Sequence, residues 1–569
     1  MKSTLLLLLL AVTCSQLPAR QRYSIVINEI MADPSPEVGL PGNEWIELMN
    51  RSGAAINLRG WRIGDAAGES GMLPNFILQP GAFVIICTGS AVNVMSAFGA
   101  TVSVTSFPSL GNDGDLVYLK SPEGHIAHAV QYESSWYANE LKKEGGWTLE
   151  MMDPSLPCGG QENWTASTDI RGGTPGTVNA VFAARPDEDA PAVLHAYTTD
   201  AYTIHLVLSE PADSAAAANL SGYSISDGIS ILSAAGMPPL YQEIKLTLAQ
   251  PLQEENIYTI TITQLSDCNG NTIPAAQEVK TGRPSPAAKA DVVINELLFN
   301  PRPDGYDYIE LFNRSQKLID LGSLHIANRS SAGDINDITR ILPSSRYLFP
   351  DEYIVITQDA QNLAKQYHVK NPGAVISLSS LPSYPDDKGS VILLEAQGNM
   401  TDEVAYHKDW HFKLISDAEG VALERINPDD TSQKAANWHS AASTAGYGTP
   451  GYQNSQYKKP QGITATFEVK PKVFSPDNNG TDDIATLQYQ LDEPAYVANV
   501  TIFDAAGRPV RSLVRNALLS TTGYWHWDGL NDKAQKLPVG TYIFFIEIFN
   551  AEGKRERFKQ TVVLARRLQ

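Results

Sequence analysis

Short apolar runs punctuate the chain from end to end. YSIVINEI from Tyr23, FVIICT from Phe83, DLVYLK from Asp115, YTIHLVL from Tyr202, IYTITIT from Ile257, YIVIT from Tyr353, SVILLE from Ser390 and GTYIFFIEIF from Gly540 are rich in Val, Ile, Tyr and Phe. Gly, Pro, Asn and Asp bound them, which is the pattern of short strands joined by turns. Four turns are spelled out, at Ser121–Gly124 (SPEG), Ala396–Asn399 (AQGN), Asp504–Gly507 (DAAG) and Asn550–Gly553 (NAEG). Helical periodicity is confined to AVNVMSAF from Ala91 and DAQNLAKQYH from Asp359, each predicting one short helix. The fold class expected is all-β, as tandem Ig-like sandwiches.

The pattern is written twice. NEWIELMNRS from Asn43 returns as YDYIELFNRS from Tyr306, VINEI from Val26 as VINEL from Val293, and LQPGAFVII from Leu78 as LFPDEYIVI from Leu348. WTLEMMDP from Trp147 parallels VALERINP from Val421, ENWTAS from Glu162 parallels ANWHSA from Ala436, and both copies close on GTPG, at Gly173 and Gly448. The two predicted helices fall at matching places. The expected organisation is a leader over residues 1–20, a first repeat over 23–181, a smaller sandwich over 186–283, a second repeat over 290–455 and a last sandwich over 466–569.

The leader, MKSTLLLLLLAVTCSQLPARQ, has a charged start and an apolar run too short to span a bilayer, as a secretory signal does. Cleavage near Ala19 is expected. Cys14 offers the alternative of a lipid anchor, although Thr13 stands where lipoprotein processing favours Gly, Ala or Ser. Net charge is −20, from 43 basic and 63 acidic residues, which repels phosphate backbones and anionic lipid and argues against a nucleic-acid partner. Of the cysteines beyond the leader, Cys87 ends an apolar run and is expected as a buried thiol, whereas Cys158 and Cys268 lie in turn-rich segments. In an exported protein those two can pair, stapling the first repeat to the middle sandwich. No C-x-x-C spacing occurs.

Candidate chemistry is sparse. On adjacent strands Glu29 and Glu47 would approach as a carboxylate pair, with copies in the second repeat. That suits a metal-dependent hydrolase, or else side chains of Asn28, Glu47 and Asn50 that satisfy backbone groups at a strand end or bulge. Neither copy supplies a neighbouring His or nucleophile. His407, Asp409 and His411 share a face if extended, a spacing that suits zinc or copper, while His125 and His128 would point to opposite faces of a strand. Asp477, Asn479, Asp482 and Asp483 concentrate oxygen ligands around a Gly, suiting either calcium or an Asx-rich turn. Trp136, Trp147, Trp164, Trp438, Trp525 and Trp527 would serve as glycan-stacking platforms or as core. No G-x-S-x-G elbow, H-E-x-x-H helix, P-loop or dinucleotide fingerprint is present.

The repeated segments INEIMADP, NEWIELMNRSGAAINLRGWRI, LQPGAFVII and GDLVYLKSPEG resemble lamin-tail domains in their bacterial, exported form. The middle segment, through LSEPAD and YTITITQLSDCNGN, resembles Ig-like modules of bacterial surface-layer proteins. KVFSPDNNGTDD, VTIFDAAGRPVRSL and WDGLNDKAQKLPVGTYIFFI resemble C-terminal Ig-like modules of flagellar hook-capping and gliding-motility proteins, some of which act as secretion signals. The resemblance implies Ig-like sandwiches and leaves the ligand open. The expectation is a non-catalytic, secreted or surface-anchored structural or adhesive protein with a protein or glycan partner. The alternatives are a hydrolase using Glu29 and Glu47, or a glycan-binding module.

Overall fold

The computed structural model describes residues 22–458 and 464–566; the leader and Cys14 lie outside them. The chain divides into two compact units, one ending at Gly282 and the other beginning at Arg283. The strands form where the short apolar runs predict them: those of the small and last sandwiches bury alternate residues, whereas the central strands of both repeats are buried on both faces. No helix among the described residues is long and apolar enough to cross a membrane.

In the first unit, the first repeat carries a six-stranded sheet in the order Trp164–Ala166, Leu149–Met151, Ile25–Met31, Trp45–Asn50, Phe83–Cys87, Thr101–Ser103. A three-stranded sheet (Arg62–Gly64, Gly114–Lys120, Ile126–Glu133) faces it. Ile25, Ile27, Ile30, Ile46 and Leu48 fill the core between the sheets. The other face of the large sheet is also buried, by a cluster containing Trp45, Ile85, Cys87 and Met95. Met95 ends the short helix Val92–Met95, which forms where AVNVMSAF predicts one. The remainder of this unit is a smaller sandwich, a four-stranded sheet over a three-stranded one, around Leu206, Ile244, Leu246, Ile260 and Ile262.

The second unit opens with the same six-strand order: Val375–Ser377, Tyr353–Thr357, Tyr308–Asn313, Val292–Leu298, Leu423–Arg425, Trp438–Ser440. Its facing sheet gains a fourth strand, Ile335–Arg340, and its helix is Ala360–Gln366, capped by the Asp359 side chain on Asn362 N–H. The chain then forms a three-stranded sheet packed on a five-stranded one around Phe474, Trp527, Phe544 and Ile546. Phe412 of the repeat packs with Val497 and Leu518 of this last sandwich, and Gln456 bridges the two by donating to Leu519 O (3.1 Å) and accepting from Ala495 N–H (2.9 Å).

One irregularity in each repeat decides which polar side chains leave the core. The pairing of Ile25–Met31 with Trp45–Asn50 slips by one residue between Ile27 and Glu29, so Asn28 is an inserted bulge residue. The same slip occurs between Ile294 and Glu296, with Asn295 inserted. A slip of one inverts side-chain parity. Asn28 and Glu29 therefore both leave the sandwich core for the opposite face, while Ile27 and Ile30 stay inside it.

Cys158 and Cys268 are joined in a disulfide, Cα atoms 6.4 Å apart, across 110 residues of chain. It ties the first repeat to the small sandwich within the first unit. Cys87 is a buried free thiol. Replacing Cys158 and Cys268 together by serine is expected to destabilise the first unit by about 2–5 kcal/mol. Calorimetry should show its transition moving down while that of the second unit stays in place. An unchanged first transition would mean that the cross-link contributes nothing.

Candidate functional site

Three carboxylic acids stand in a row across neighbouring strands of the first repeat. Glu29 is the register partner of Glu47 on one side and of Glu150 on the other. Glu296, with Glu310 and Glu424, repeats the row. All six side chains are fully buried. Sequence reasoning finds the Glu29–Glu47 pair, and its alternative of Asn28, Glu47 and Asn50 satisfying backbone groups at a bulge is the one formed; it misses the third member and the loop that covers the row.

The partner of the row is the segment that opens with GTPG. In the first repeat Thr174 N–H donates to Glu29 Oε1 (2.8 Å), Thr174 Oγ1 to Glu150 Oε1 (2.8 Å), Gly176 N–H to Glu47 Oε2 (2.5 Å) and Val181 N–H to Glu150 Oε2 (3.1 Å). In the second, Thr449 N–H donates to Glu296 Oε1 (2.9 Å), Thr449 Oγ1 to Glu424 Oε1 (2.9 Å), Gly451 N–H to Glu310 Oε2 (2.6 Å) and Gln456 N–H to Glu424 Oε2 (2.8 Å). The bulge residue closes the arrangement. Asn28 Nδ2 donates to Glu47 Oε1 and Asn179 Oδ1, and Asn179 Nδ2 returns to the carbonyls of Asn28 and Met151. Asn295 and Asn454 make the same four bonds with Glu310 and the carbonyls of Asn295 and Arg425.

Both glycines of GTPG are required by this contact. A Cβ on Gly173 would meet Glu29 Oε1 at 2.7 Å, and one on Gly448 would meet Tyr308 Oη at 2.8 Å. Gly176 and Gly451 adopt φ of +80° and +86°, in the left-handed region that glycine tolerates without steric cost. The signal that could have exposed the site is the spacing GTPG-x-x-N, which occurs as GTPGTVN from Gly173 and GTPGYQN from Gly448.

Burial decides the protonation of the row. Loss of hydration, then the neighbouring Glu47 and Glu150, pushes Glu29 well above the ordinary carboxylic range, and burial lifts Glu47 to about 8 against amide bonds that pull it down. Burial and Glu424 lift Glu296 to about 8, and burial and Glu296 push Glu310 well up. The row thus resists carrying several charges at once at neutral pH. Among the described residues no His bonds to it, and most of its oxygens accept from loop amides, hydroxyls or the bulge asparagine. The arrangement anchors a loop over six fully buried carboxyl groups.

The repeats solve two local problems differently. Tyr308 Oη donates to Glu296 Oε1 at 2.8 Å. Trp45 stands in that place in the first repeat, and Thr148 Oγ1 supplies the bond to Glu29 Oε1 instead (2.7 Å), leaving Trp45 Nε1 and Glu29 Oε2 without partners. The bulge N–H of Ile294 goes to Asp402 Oδ2 (2.9 Å), held by the buried Arg425 at 3.0 Å. The bulge N–H of Ile27 goes to His128 Nδ1 (3.0 Å), with Met151 in the place of Arg425.

The other candidates from the sequence fall elsewhere. Lys408–Trp410 forms a 3-10 turn, so the extended geometry that would align His407, Asp409 and His411 is absent. His411 turns inward to Ser440 Oγ (2.9 Å), while His407 stays near Asp409. His125 is exposed in the turn before its strand, and His128 is buried. In the 477–483 segment Asp483 accepts the N–H groups of Asp477, Asn478 and Gly480, and Asn479 accepts that of Thr481. Asp482 instead offers its backbone carbonyl to Ser475 N–H. Trp164, Trp438 and Trp527 are core residues; Trp136, Trp147 and Trp525 are half-buried against the cores. Among the described residues, the acidic groups whose oxygens gather within 4.8 Å are Asp187, Glu210 and Asp267, beside a cleft of about 710 Å³ in the first unit. Asp267 Oδ1 is taken up by the N–H groups of Asn269, Gly270 and Asn271.

Residues 18–134 and 285–408 match the lamin tail domain model, and residues 475–552 match the FlgD Ig-like domain. The chain carries two lamin tail domains and a FlgD Ig-like domain. No curated protein matches the chain. Among solved structures, a family protein from Bacteroides thetaiotaomicron aligns at 11% identity over 41% of this chain and 96% of that one, with a TM-score of 0.20. The N-terminal part of the bacterial S-layer protein SbsC aligns at 15% over 29% of this chain and 44% of its own length, with a TM-score of 0.17. A Ca2+-stabilized adhesin with which an Antarctic bacterium binds ice aligns at 8% over 95% and 98%, with a TM-score of 0.12. The GTPG segments lie beyond the stretches matched as lamin tail domains.

Two predictions concern the carboxylic row. Thr174→Val, which strands an oxygen of Glu150 while keeping shape, is expected to cost about 1–3 kcal/mol, and Glu47→Gln, which keeps an acceptor for Gly176, less; urea unfolding measures both. The pH dependence follows from Glu47 and Glu296, raised from 4.5 to about 8. Between those values the folded chain holds more protons than the unfolded one, so their contribution is full below 4.5 and is lost as pH rises to about 8. Urea midpoints should fall between pH 6.5 and 8, and the fall should flatten in the Glu47→Gln, Glu296→Gln variant.

Proposed function

We propose that the protein is a non-catalytic, exported component of the bacterial cell surface that spaces and presents binding faces to a protein or glycan partner. The observation that carries this reading is the use made of the carboxylates. The row of three acids repeated in both copies is taken up by amide and hydroxyl donors, mostly of a covering loop, and among the described residues no histidine bonds to it. The families matched are Ig-like modules, none of them enzymatic. A net charge of −20 disfavours nucleic acid and anionic lipid as partners. Tandem sandwiches tied by a disulfide suit an oxidising, extracellular setting.

The test has two arms. Protein purified without added metal should hold no stoichiometric metal and should not hydrolyse ester or phosphodiester substrates. Stoichiometric metal or hydrolysis that disappears in the Glu47→Gln, Glu310→Gln variant would instead make the row an active site. Proteinase treatment of intact host cells should remove the full-length protein; complete protection would contradict the surface placement.

A further inference from the structure

The repeats differ most in chemistry where the bulge N–H meets its acceptor. His128 is fully enclosed and uses both ring nitrogens. Nδ1 accepts from Ile27 N–H at 3.0 Å, and Nε2 lies 2.8 Å from the carbonyl of Pro157. A carbonyl only accepts, so the ring is the neutral tautomer with its proton on Nε2. Adding a proton at Nδ1 would set donor against donor at 3.0 Å. Tyr23 walls the ring edge-on, with centroids 5.9 Å apart, and opposes a rotation that would relieve the clash.

The surroundings oppose a charge on this ring. Burial disfavours it most strongly, and Arg51, after the second strand, and Arg22, on the segment before the first, add to this; the Pro157 carbonyl alone favours it and is outweighed. Asp153 faces Arg51 and stabilises that guanidinium rather than the imidazole. The Pro157 loop contributes a carbonyl, and the next residue is Cys158, bonded to Cys268 of the small sandwich. The ring therefore holds two things at once: the bulge that aims Asn28 and Glu29 at the GTPG loop, and the backbone carrying the inter-sandwich cross-link.

We infer that His128 is an acid-sensitive clamp, whose protonation at Nδ1 releases the bulge of the first lamin tail domain while Nε2–H keeps its bond to Pro157 O. The second domain does this job without an imidazole. Asp402 accepts the Ile294 N–H, and Arg425 Nη2 reaches Asp402 while its Nε reaches Ile294 O. The buried His411 and the nearby His439 bond to Ser440, away from the bulge. Acid thus acts on one bulge and spares the other.

The depression of His128 from 6.5 to about 4 fixes the window. A histidine lowered on folding contributes stability that is full above its unfolded value and is lost as pH falls toward the folded one. The slope is opposite in sign to that of the carboxylic row, so a His128 variant isolates it.

The experiment is amide exchange of the full chain, corrected for intrinsic rates, from pH 7 to pH 4, alongside His128→Asn, which keeps an acceptor but cannot titrate. Protection of the Ile27 amide relative to Ile294 is expected to fall roughly a hundredfold in the wild type across this range, and to stay level in the variant. A second variant, His128→Asp with Met151→Arg, transplants the ion pair and should likewise hold Ile27 protected in acid. Parallel behaviour of Ile27 and Ile294 in the wild-type chain would overturn the inference, whatever the variants do. So would equal acid losses in wild type and His128→Asn.

Discussion

The structure of each lamin tail domain depends on a row of three buried carboxylic acids gripping one loop. Burying carboxyl groups is unfavourable unless their oxygens find donors. Here the donors come from the N–H groups and hydroxyl of the segment opening with GTPG, and from the bulge asparagine. The cost of burial is offset in two ways, by these bonds and by retention of protons. In return, a loop that would otherwise cross the outer face of the sheet is fixed at several points. The bulge is what makes this geometry available, because it turns two consecutive residues to the same face.

The two domains are a natural comparison of equivalent solutions. Tyr308 with Ala422 does the work of Trp45 with Thr148, and Asp402 with Arg425 the work of His128 with Met151. The invariant part is the Glu row, the two asparagines and the glycines, the elements whose spacing and parity the loop contact demands. The exchangeable part is the set of groups that finish off leftover donors and acceptors. That division separates what defines the fold from what tunes its response to solvent conditions.

Much of the architecture was legible in the chain. Short apolar runs and turn tetrads mark the strands, although AQGN closes one residue earlier than its letters suggest, with Gly398 N–H on Glu395 O. The duplication of VINE and IEL points to Glu29 and Glu47 on consecutive strands, while the bulge that turns Glu29 to the face of Glu47 has no signature in the letters. Glu150 lies in the repeated WTLEMMDP, but its three-residue strand, Leu149–Met151, is too short and too far along the chain for the letters to place it beside Glu29. The repeated GTPG is visible in the sequence, but what it contacts is not, because several of its bonds are made by backbone N–H groups that no residue type announces. His128 and Asp402 share a role but no chemistry, so only their common position beside the bulge reveals them. The spacing of His407, Asp409 and His411 aligns them only on an extended segment, and the chain forms a 3-10 turn there.

The most direct test of the loop-anchoring account is native-state hydrogen exchange at the amides of Thr174, Gly176, Thr449 and Gly451. If the carboxylic row holds the loops, these four should be protected to the level of the central strands, and Gly176 should lose that protection in Glu47→Ala while Gly451 keeps it. Exchange of Gly176 and Gly451 at the rate of exposed turns in the wild-type chain would contradict the account.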